Sequence, residues 1–426
     1  MREQVSHSAP DYGSRKVFMN IQRCLLVLPD GAVNRRMGSG QRSALVFEAL
    51  KRIAPTDVVV LGKTEGEVPV APDQALETAF FPGAASLRRV RSSHFRMGRR
   101  HGVDWVVHNL NRFLRVDRLY AAEPQVCAAL AGILTPEHGV VAFRYSQPYC
   151  LSDVVAGPGR RVFVDIDDRD DQKFETAARA TLGTGLMGRV FSRFVVPRIR
   201  QILTDKLGRA SLLWYATGED ILPIPDVPAR VLRNVPFGEA GEDTPDPAGS
   251  RDILFVGTYS HRPNQDGVRW FLRHCWPEIQ RRNPDARFRL VGMGDWKALA
   301  AEFPDLPNVD YVGTVDELAP EYARARFAIS PVFDGGGSKI KVIETCAYRR
   351  LPVVSVHSAR GFGDALFEAL PKADDPAGFI DLCDLYLRDD AALHAATDRL
   401  RALQQAQFSR RSAEQQIEDD IRSALG

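Results

Sequence analysis

The stretch SPVFDGGGSKIKVIETC, Ser330–Cys346, sets three consecutive glycines, a serine and two lysines between an apolar run and a helical pattern. Phe327–Ser330 reads as a buried strand, and Ile340, Ile343 and Ala347 share the apolar face of a helix. Gly335, Gly336 and Gly337 therefore stand at the carboxyl end of a strand, the edge at which open α/β sheets bind ligands. Bare backbone lets N–H groups approach a ligand closely. A helix start adds unpaired donors and roughly half a positive charge, both favouring an anion. Ser338 either caps the helix or reaches a phosphate oxygen, and Lys339 brings charge over the loop mouth. Glu344 falls at the flank of the buried face, where a carboxylate needs a partner. Lys341, three residues earlier, or the hydroxyls of a sugar would supply one. The pattern predicts a phosphate cradle with a hydroxyl acceptor beside it. It is not a Walker A loop, because Gly-Ser-Lys stands where Gly-Lys-Ser/Thr is needed, and VGMGDWK at Val291–Lys297 is not a dinucleotide fingerprint, because Lys297 occupies the third glycine position.

Working outward, alternation of strand and helix fills both halves of the chain. CLLVLP at Cys24–Pro29, a glycine-bearing loop GSGQRS at Gly38–Ser43, a helix through Val46, Phe47, Leu50 and Ile53, and DVVVLG at Asp57–Gly62 make a βαβ unit. Further strands are expected at Val140–Arg144, Val162–Ile166 and Leu212–Tyr215. EAGEDTPDPAGS, Glu239–Ser250, is acidic and rich in Pro and Gly, and reads as a linker. Beyond it strands are expected at Ile253–Val256, Phe288–Val291, Phe327–Ser330 and Val353–Val356, with helices near Gln265–Arg281 and after Gly337. The prediction is an α/β protein of two doubly wound, Rossmann-like domains. Its expected parts are a disordered leader (1–20), an N-terminal acceptor domain (21–238), a linker (239–250), a C-terminal donor domain (251–405) and a helix packing between the domains (406–426). In that last segment Ala413, Ile417, Ile421 and Leu425 recur at helical spacing.

Composition narrows the function. At 426 residues the chain exceeds one typical domain. A net charge of +2 gives no general case for nucleic-acid binding. The six cysteines show no CxxC spacing, which argues for reduced thiols in a cytoplasmic protein. No apolar run reaches the ~18 residues of a membrane span, and Met1–Asn20 lacks the apolar core of a secretory signal. The basic run Arg88–His101, with six arginines and two histidines, is either a dock for anionic lipid or acidic glycan or a solvated loop. Asp165-Ile166-Asp167 has the form of a metal-binding Asp-x-Asp triplet, but it stands far from the cradle in sequence and no metal is expected there.

ILFVGTYSHRPNQDGVRWF (Ile253–Phe271), FRLVGMGD (Phe288–Asp295), VDYVGTVDELAPEYARARFAISPV (Val309–Val332) and GGGSKIKVIETCAYRRLPVVS (Gly335–Ser355) occur in that order. From Arg251 to Gly361 the chain thereby resembles the retaining nucleotide-sugar glycosyltransferases of the GT-B fold, family 4. GSGQRS, FVDIDDRDD (Phe163–Asp171) and VLRNVPFG (Val231–Gly238) carry a weaker likeness in the first half. The resemblance implies two domains facing across a cleft and transfer of a sugar, with retention, from a nucleoside diphosphate to a glycan or lipid-linked acceptor. No cofactor is implied beyond the donor itself. It further implies that Gly257 and Thr258 lie by the donor phosphates and that Gly335–Ser338 and Lys339 hold the diphosphate. Glu344 matches the second glutamate of the family's paired-glutamate motif, which binds ribose. Gly336 stands where the first glutamate would be, so the contact to the sugar departs from the family. Arg144 stands where many members carry a histidine; it would steady the departing phosphate, hold the acceptor, or form a surface ion pair. Asp167 and Asp168 would orient the acceptor hydroxyl or cap a helix. Gly38, Gly40 and His108 complete the acceptor-side candidates, although a lone histidine beside WVV suits a structural role. A sugar-nucleotide epimerase and a non-catalytic nucleotide-sugar-binding protein remain as alternatives. A cytoplasmic enzyme of cell-surface polysaccharide or glycolipid synthesis, touching the inner face of the membrane, is the expected setting.

Overall fold

The computed structural model describes residues 21–33, 38–62, 80–93, 116–167, 169–175, 185–236, 238–334 and 340–425. The expected leader, His108, Asp168 and Gly335–Lys339 lie outside those residues. Two parallel sheets organise the chain. The first has the order β3-β2-β1-β4-β5-β6-β7, with β1 Arg23–Pro29, β2 Thr56–Gly62, β3 Ser86–Arg91, β4 His138–Arg144, β5 Arg161–Asp167, β6 Leu212–Tyr215 and β7 Ala229–Val231. The second has the order β10-β9-β8-β11-β12, with β8 Asp252–Val256, β9 Arg287–Val291, β10 Val309–Gly313, β11 Ala325–Ser330 and β12 Leu351–Val354.

Central strands of both sheets are near-continuous apolar runs because helices cover both faces. In β1, Cys24, Leu26 and Leu28 face a core built with helix α1, Gly38–Ile53. Leu25 and Val27 face the opposite core, which takes in helix α2, Leu186–Leu207. The second sheet is covered by α3, Arg262–His274, and α4, Ile340–Ala347, among others. The α/β architecture of two Rossmann-like domains expected from the sequence is therefore present.

Five local expectations need correction. GSGQRS is not a loop: Gly38 opens α1, and Gly40, Arg42 and Ser43 are buried in its first turns. The expected helix over Gln265–Arg281 divides into α3 and Trp276–Arg282, and Pro277 takes an opening position of the second piece, where a missing N–H costs nothing. The start of the basic run is a strand at the edge of the described sheet, since Arg88, Arg89 and Arg91 belong to β3, which among the described residues pairs with β2. Helix α4 has no single apolar face, because Val342 to Ala347 are all buried while Ile340 is half-exposed. Helix α5, Asp390–Gln407, belongs to the second domain. After it the chain crosses back, and α6, Arg410–Leu425, packs on α1 of the first domain rather than between the domains. Its stripe Ala413, Ile417, Ile421 and Leu425 completes that core. On the flank of the stripe, Glu414 and Glu418 pair with Arg52, and the Trp214 indole donates to Asp420 at 2.8 Å.

Glu239–Ser250, loop-like in composition, is bound along the second domain. Arg326 donates to the Ala248 carbonyl at 2.7 Å, Arg350 to the Pro245 carbonyl at 2.8 Å, and the Ala240 amide to the Ala347 carbonyl at 3.0 Å. Buried arginines thus hold its backbone in place.

Candidate functional site

The carboxyl edge of the second sheet carries a concave site. β8 ends at Val256, and the following backbone turns over β9: the Gly257 amide donates to the Val291 carbonyl at 2.9 Å. Gly292, at φ +135°, lies so close that a Cβ there would stand 2.0 Å from the Gly257 carbonyl oxygen. Glycine is required at that approach. The Trp296 indole donates to the same carbonyl at 3.0 Å, fixing the turn from below.

Asn264, in the first turn of α3, is buried and donates to the Thr258 carbonyl at 3.0 Å. Its side-chain oxygen accepts from Lys341 Nζ at 2.7 Å. The Lys341 ammonium also lies 4.4 Å from the centroid of the Phe255 ring, a cation–π contact. One turn further along α4, Glu344 is 1% exposed and accepts from the Tyr322 hydroxyl at 3.3 Å. Tyr322 stacks on Tyr348 with ring centroids 4.5 Å apart and planes within 10°. Burial first, and then the Glu344 carboxylate, push the Tyr348 phenol up to about 12, and the same causes raise Tyr322 well above its usual value. Both phenols therefore stay protonated at neutral pH, and Tyr322 remains a donor.

Of these groups, Asn264, Gly292, Lys341, Glu344 and Tyr348 line a cavity of about 470 Å³, within the ~300–1,000 Å³ common to small-molecule sites. Gly257, Thr258, Lys341 and Glu344 form one wall, and Met293 with Thr314–Leu318 forms another. Gly38 of the first domain touches the same cavity, so the site lies between the two halves. An ammonium and a buried carboxylate beside a glycine turn suit a ligand that joins an anionic group to hydroxyls.

Of the residues singled out in the sequence, Gly257, Thr258, Glu344 and Gly38 meet here. Gly40 is buried within α1 and does not line the cavity. Gly335, Gly336, Gly337, Ser338 and Lys339 are outside the described residues, although Ile340, the next residue, lines the cavity. Lys341 and Asn264 were missed as site residues. The signal for Lys341 is its place one turn before Glu344, which suggests an ion pair with that residue; in the fold its ammonium donates to Asn264. No spacing rule links Asn264 to Lys341, because the two meet only when α3 and α4 pack on the same sheet edge.

Arg144 and the Asp165–Asp167 triplet form a different assembly. Arg144 is 0% exposed, so its ion pairs are buried rather than at the surface. Its guanidinium bonds Asp165, reaches Asp167 at 3.3 Å and the Ser43 hydroxyl at 3.3 Å. Arg42 grips the other side of Asp165 at 2.7 Å and 2.8 Å, and donates to the Leu232 carbonyl at 2.6 Å. Burial works to raise the Asp167 carboxyl, but Arg42, Arg144 and Lys173 outweigh it and hold it below the usual carboxylate range. Two guanidinium groups thus occupy the triplet's carboxylates. The assembly ties the first turns of α1, which carry Gly38, to the carboxyl ends of β4 and β5.

Residues 250–389 match the family model described as glycosyl transferases group 1. No curated protein matches the chain. Among solved structures, HepE of Anabaena in complex with UDP and glucose superposes with a TM-score of 0.59 at 12% identity, over 94% of this chain and 100% of that one. TarM gives 0.64 at 9% identity, over 95% and 99%. A trehalose-6-phosphate protein from E. coli bound with UDP-2-fluoro glucose gives 0.57 at 11% identity, over 93% and 99%. At such identities the likeness is one of fold. Residues 250–389, which hold Gly257, Asn264, Lys341 and Glu344, thus match the glycosyl transferases group 1 model, in a chain with the two-domain GT-B fold.

Proposed function

We propose that this protein is a glycosyltransferase that moves a sugar from a nucleoside-diphosphate sugar to a hydroxyl of a glycan or lipid-linked acceptor. The observation that carries the reading is Lys341 and Glu344, one helical turn apart, on the wall of an interdomain cavity inside the matched family segment. In this reading Lys341 and Thr258 take the diphosphate, with Gly257 shaping the turn beside them, and Glu344 accepts from the ribose hydroxyls. Gly335–Ser338 and Lys339, joined directly to the cavity residue Ile340, would add amides and a second ammonium. Met293 and the Thr314–Leu318 loop would border the base. The acceptor hydroxyl attacks the anomeric carbon from the first-domain side, the bond to the phosphate oxygen breaks, and the diphosphate leaves with the electron pair and takes up the hydroxyl proton. Lysine charge would balance it without a metal ion. Retention, a role in cell-surface polysaccharide or glycolipid synthesis and a cytoplasmic location belong to the same proposal. No described helix is long and apolar enough to cross a membrane.

A melting-temperature screen against UDP, GDP, ADP and their sugars tests donor binding. Stabilisation by at least one of them is expected. Glu344→Gln keeps the shape and the Tyr322 contact but removes the charge. Hydrogen bonds to a charged group are worth ~1.5–3 kcal/mol, so donor affinity should fall by roughly tenfold to a hundredfold with the unliganded melting temperature nearly unchanged. Unaltered affinity would remove Glu344 from the site. Nucleotide release that depends on added acceptor distinguishes a transferase from an epimerase, which turns the donor over alone, and from a binding protein, which releases nothing.

A further inference from the structure

Helix α2 has two apolar faces, and among the described residues only one of them is covered. Phe191, Ile199, Leu203 and Leu207 lie in the first domain's core. Val190 is nine residues before Ile199, about 180° around the helix, and is 44% exposed. Phe194, one turn on from Val190, is 67% exposed, more than any other large hydrophobic side chain among the described residues. Arg189, Arg193, Arg198 and Arg200 are exposed beside them. Along Leu186–Leu207 these four arginines and Lys206 face a single acidic residue, Asp205. Arg200 is held at 3.0 Å by the buried Asp171. Arg198 pairs with Asp117, but both partners are at least half exposed, and such a pair contributes little and exchanges readily.

An apolar stripe edged with arginine matches the boundary between headgroups and acyl chains of an anionic bilayer. A second copy of the same face is a poorer fit, because a two-fold contact would set arginines against arginines. The helix also stands where docking has a use. β5 ends at Asp167 on the cleft edge and β6 begins at the opposite edge, so α2, which joins them, starts on the cleft side of the domain. We propose that the Val190–Phe194 face of α2, with Arg189, Arg193 and Arg198, docks this protein on an anionic membrane surface. The docking does not depend on the reaction in the cleft. Its service to that reaction, bringing the cleft mouth to a lipid-linked acceptor, rests on the transferase reading.

Sedimentation of the full chain with vesicles tests it. Vesicles of phosphatidylcholine with a quarter phosphatidylglycerol should bind about tenfold or more tightly than phosphatidylcholine alone. Val190→Ser combined with Phe194→Ser should weaken that binding by about tenfold or more, as should Arg189→Glu with Arg193→Glu. Leu385→Ser, an exposed apolar position of the second domain, should change nothing. Donor-induced stabilisation should survive in every variant, which keeps failure of docking distinct from failure of the cleft reading. Equal binding to both vesicle types, or full binding by the double variants, overturns the proposal. So does a lower melting temperature on Phe194→Ser, which would mean that another part of the chain covers the face. Self-association that Phe194→Ser abolishes, without vesicle binding, also overturns it.

Discussion

Lys341→Ala should lower kcat/KM for the nucleotide sugar by roughly a hundredfold to a thousandfold, the cost of removing one preorganised donor from developing negative charge (~3 kcal/mol). The ammonium is held before any ligand arrives: Asn264 accepts from it at 2.7 Å, and the Phe255 ring lies against it at 4.4 Å. A side chain fixed in this way loses little rotamer freedom when the phosphate binds. Lys341→Arg keeps the charge but not the compact ammonium, and should recover part of the activity. Asn264→Ala leaves the charge and frees its position, so a loss of about tenfold is expected, together with loosening of the Thr258 turn. The amino terminus of a helix alone contributes only ~1 kcal/mol at most exposed sites, which is why the lysine should dominate. Steady-state kinetics with donor binding measured in parallel checks this. A Lys341→Ala protein that binds and turns over donor normally would move the diphosphate elsewhere.

Asp165→Ala should destabilise the first domain by ~3–5 kcal/mol, because it leaves two buried guanidinium groups side by side with Asp167 as their one remaining counter-charge in this assembly. For a domain of this size that is a fall of ~10 °C in its melting midpoint, read by calorimetry. The comparison that decides the cause is Glu302→Ala, which breaks the exposed Arg269–Glu302 pair and should cost less than ~1 kcal/mol. Adding Arg144→Met to Asp165→Ala should cost less than the two single changes together, since the second substitution removes a charge the first has stranded. Asp167 in the same assembly gives a pH dependence. Its folded carboxyl is held below the usual range, so its contribution is present above about pH 4 and is lost as the pH falls further. Similar losses from Asp165→Ala and Glu302→Ala would show that the buried assembly is no stronger than a surface pair.

The strand cores were legible because each is an unbroken apolar run between turn residues. Leu212–Tyr215 has the predicted bounds, and Cys24–Pro29 grew by one residue. β3, β7 and β10 escaped notice for one reason: each is short or lies at a sheet edge and carries polar residues such as Arg88, Arg230 and Asp310, so periodicity does not mark it. Glu344 stood out because a carboxylate beside buried positions needs an explanation. The surroundings of Arg144 could not be read from residue type: a guanidinium at a strand end suggests an exposed pair, and only the fold gathers Asp165 and Ser43 around it.

From local order alone the chain states its two α/β halves, the glycine-marked turn at Gly257, and a helix bearing Lys341 and Glu344 after the Phe327–Ser330 strand. These follow from spacing along one segment, which short-range sterics and hydrophobic period govern. Tertiary structure alone decided that Asn264 orients Lys341, that Tyr322 donates to Glu344, that Gly38 reaches the cavity from the other domain, that α6 returns to the first core, and that Phe194 is left in the open. Each of those facts joins segments distant in sequence, and their meeting is set by how helices pack over a shared sheet edge, which no local pattern encodes.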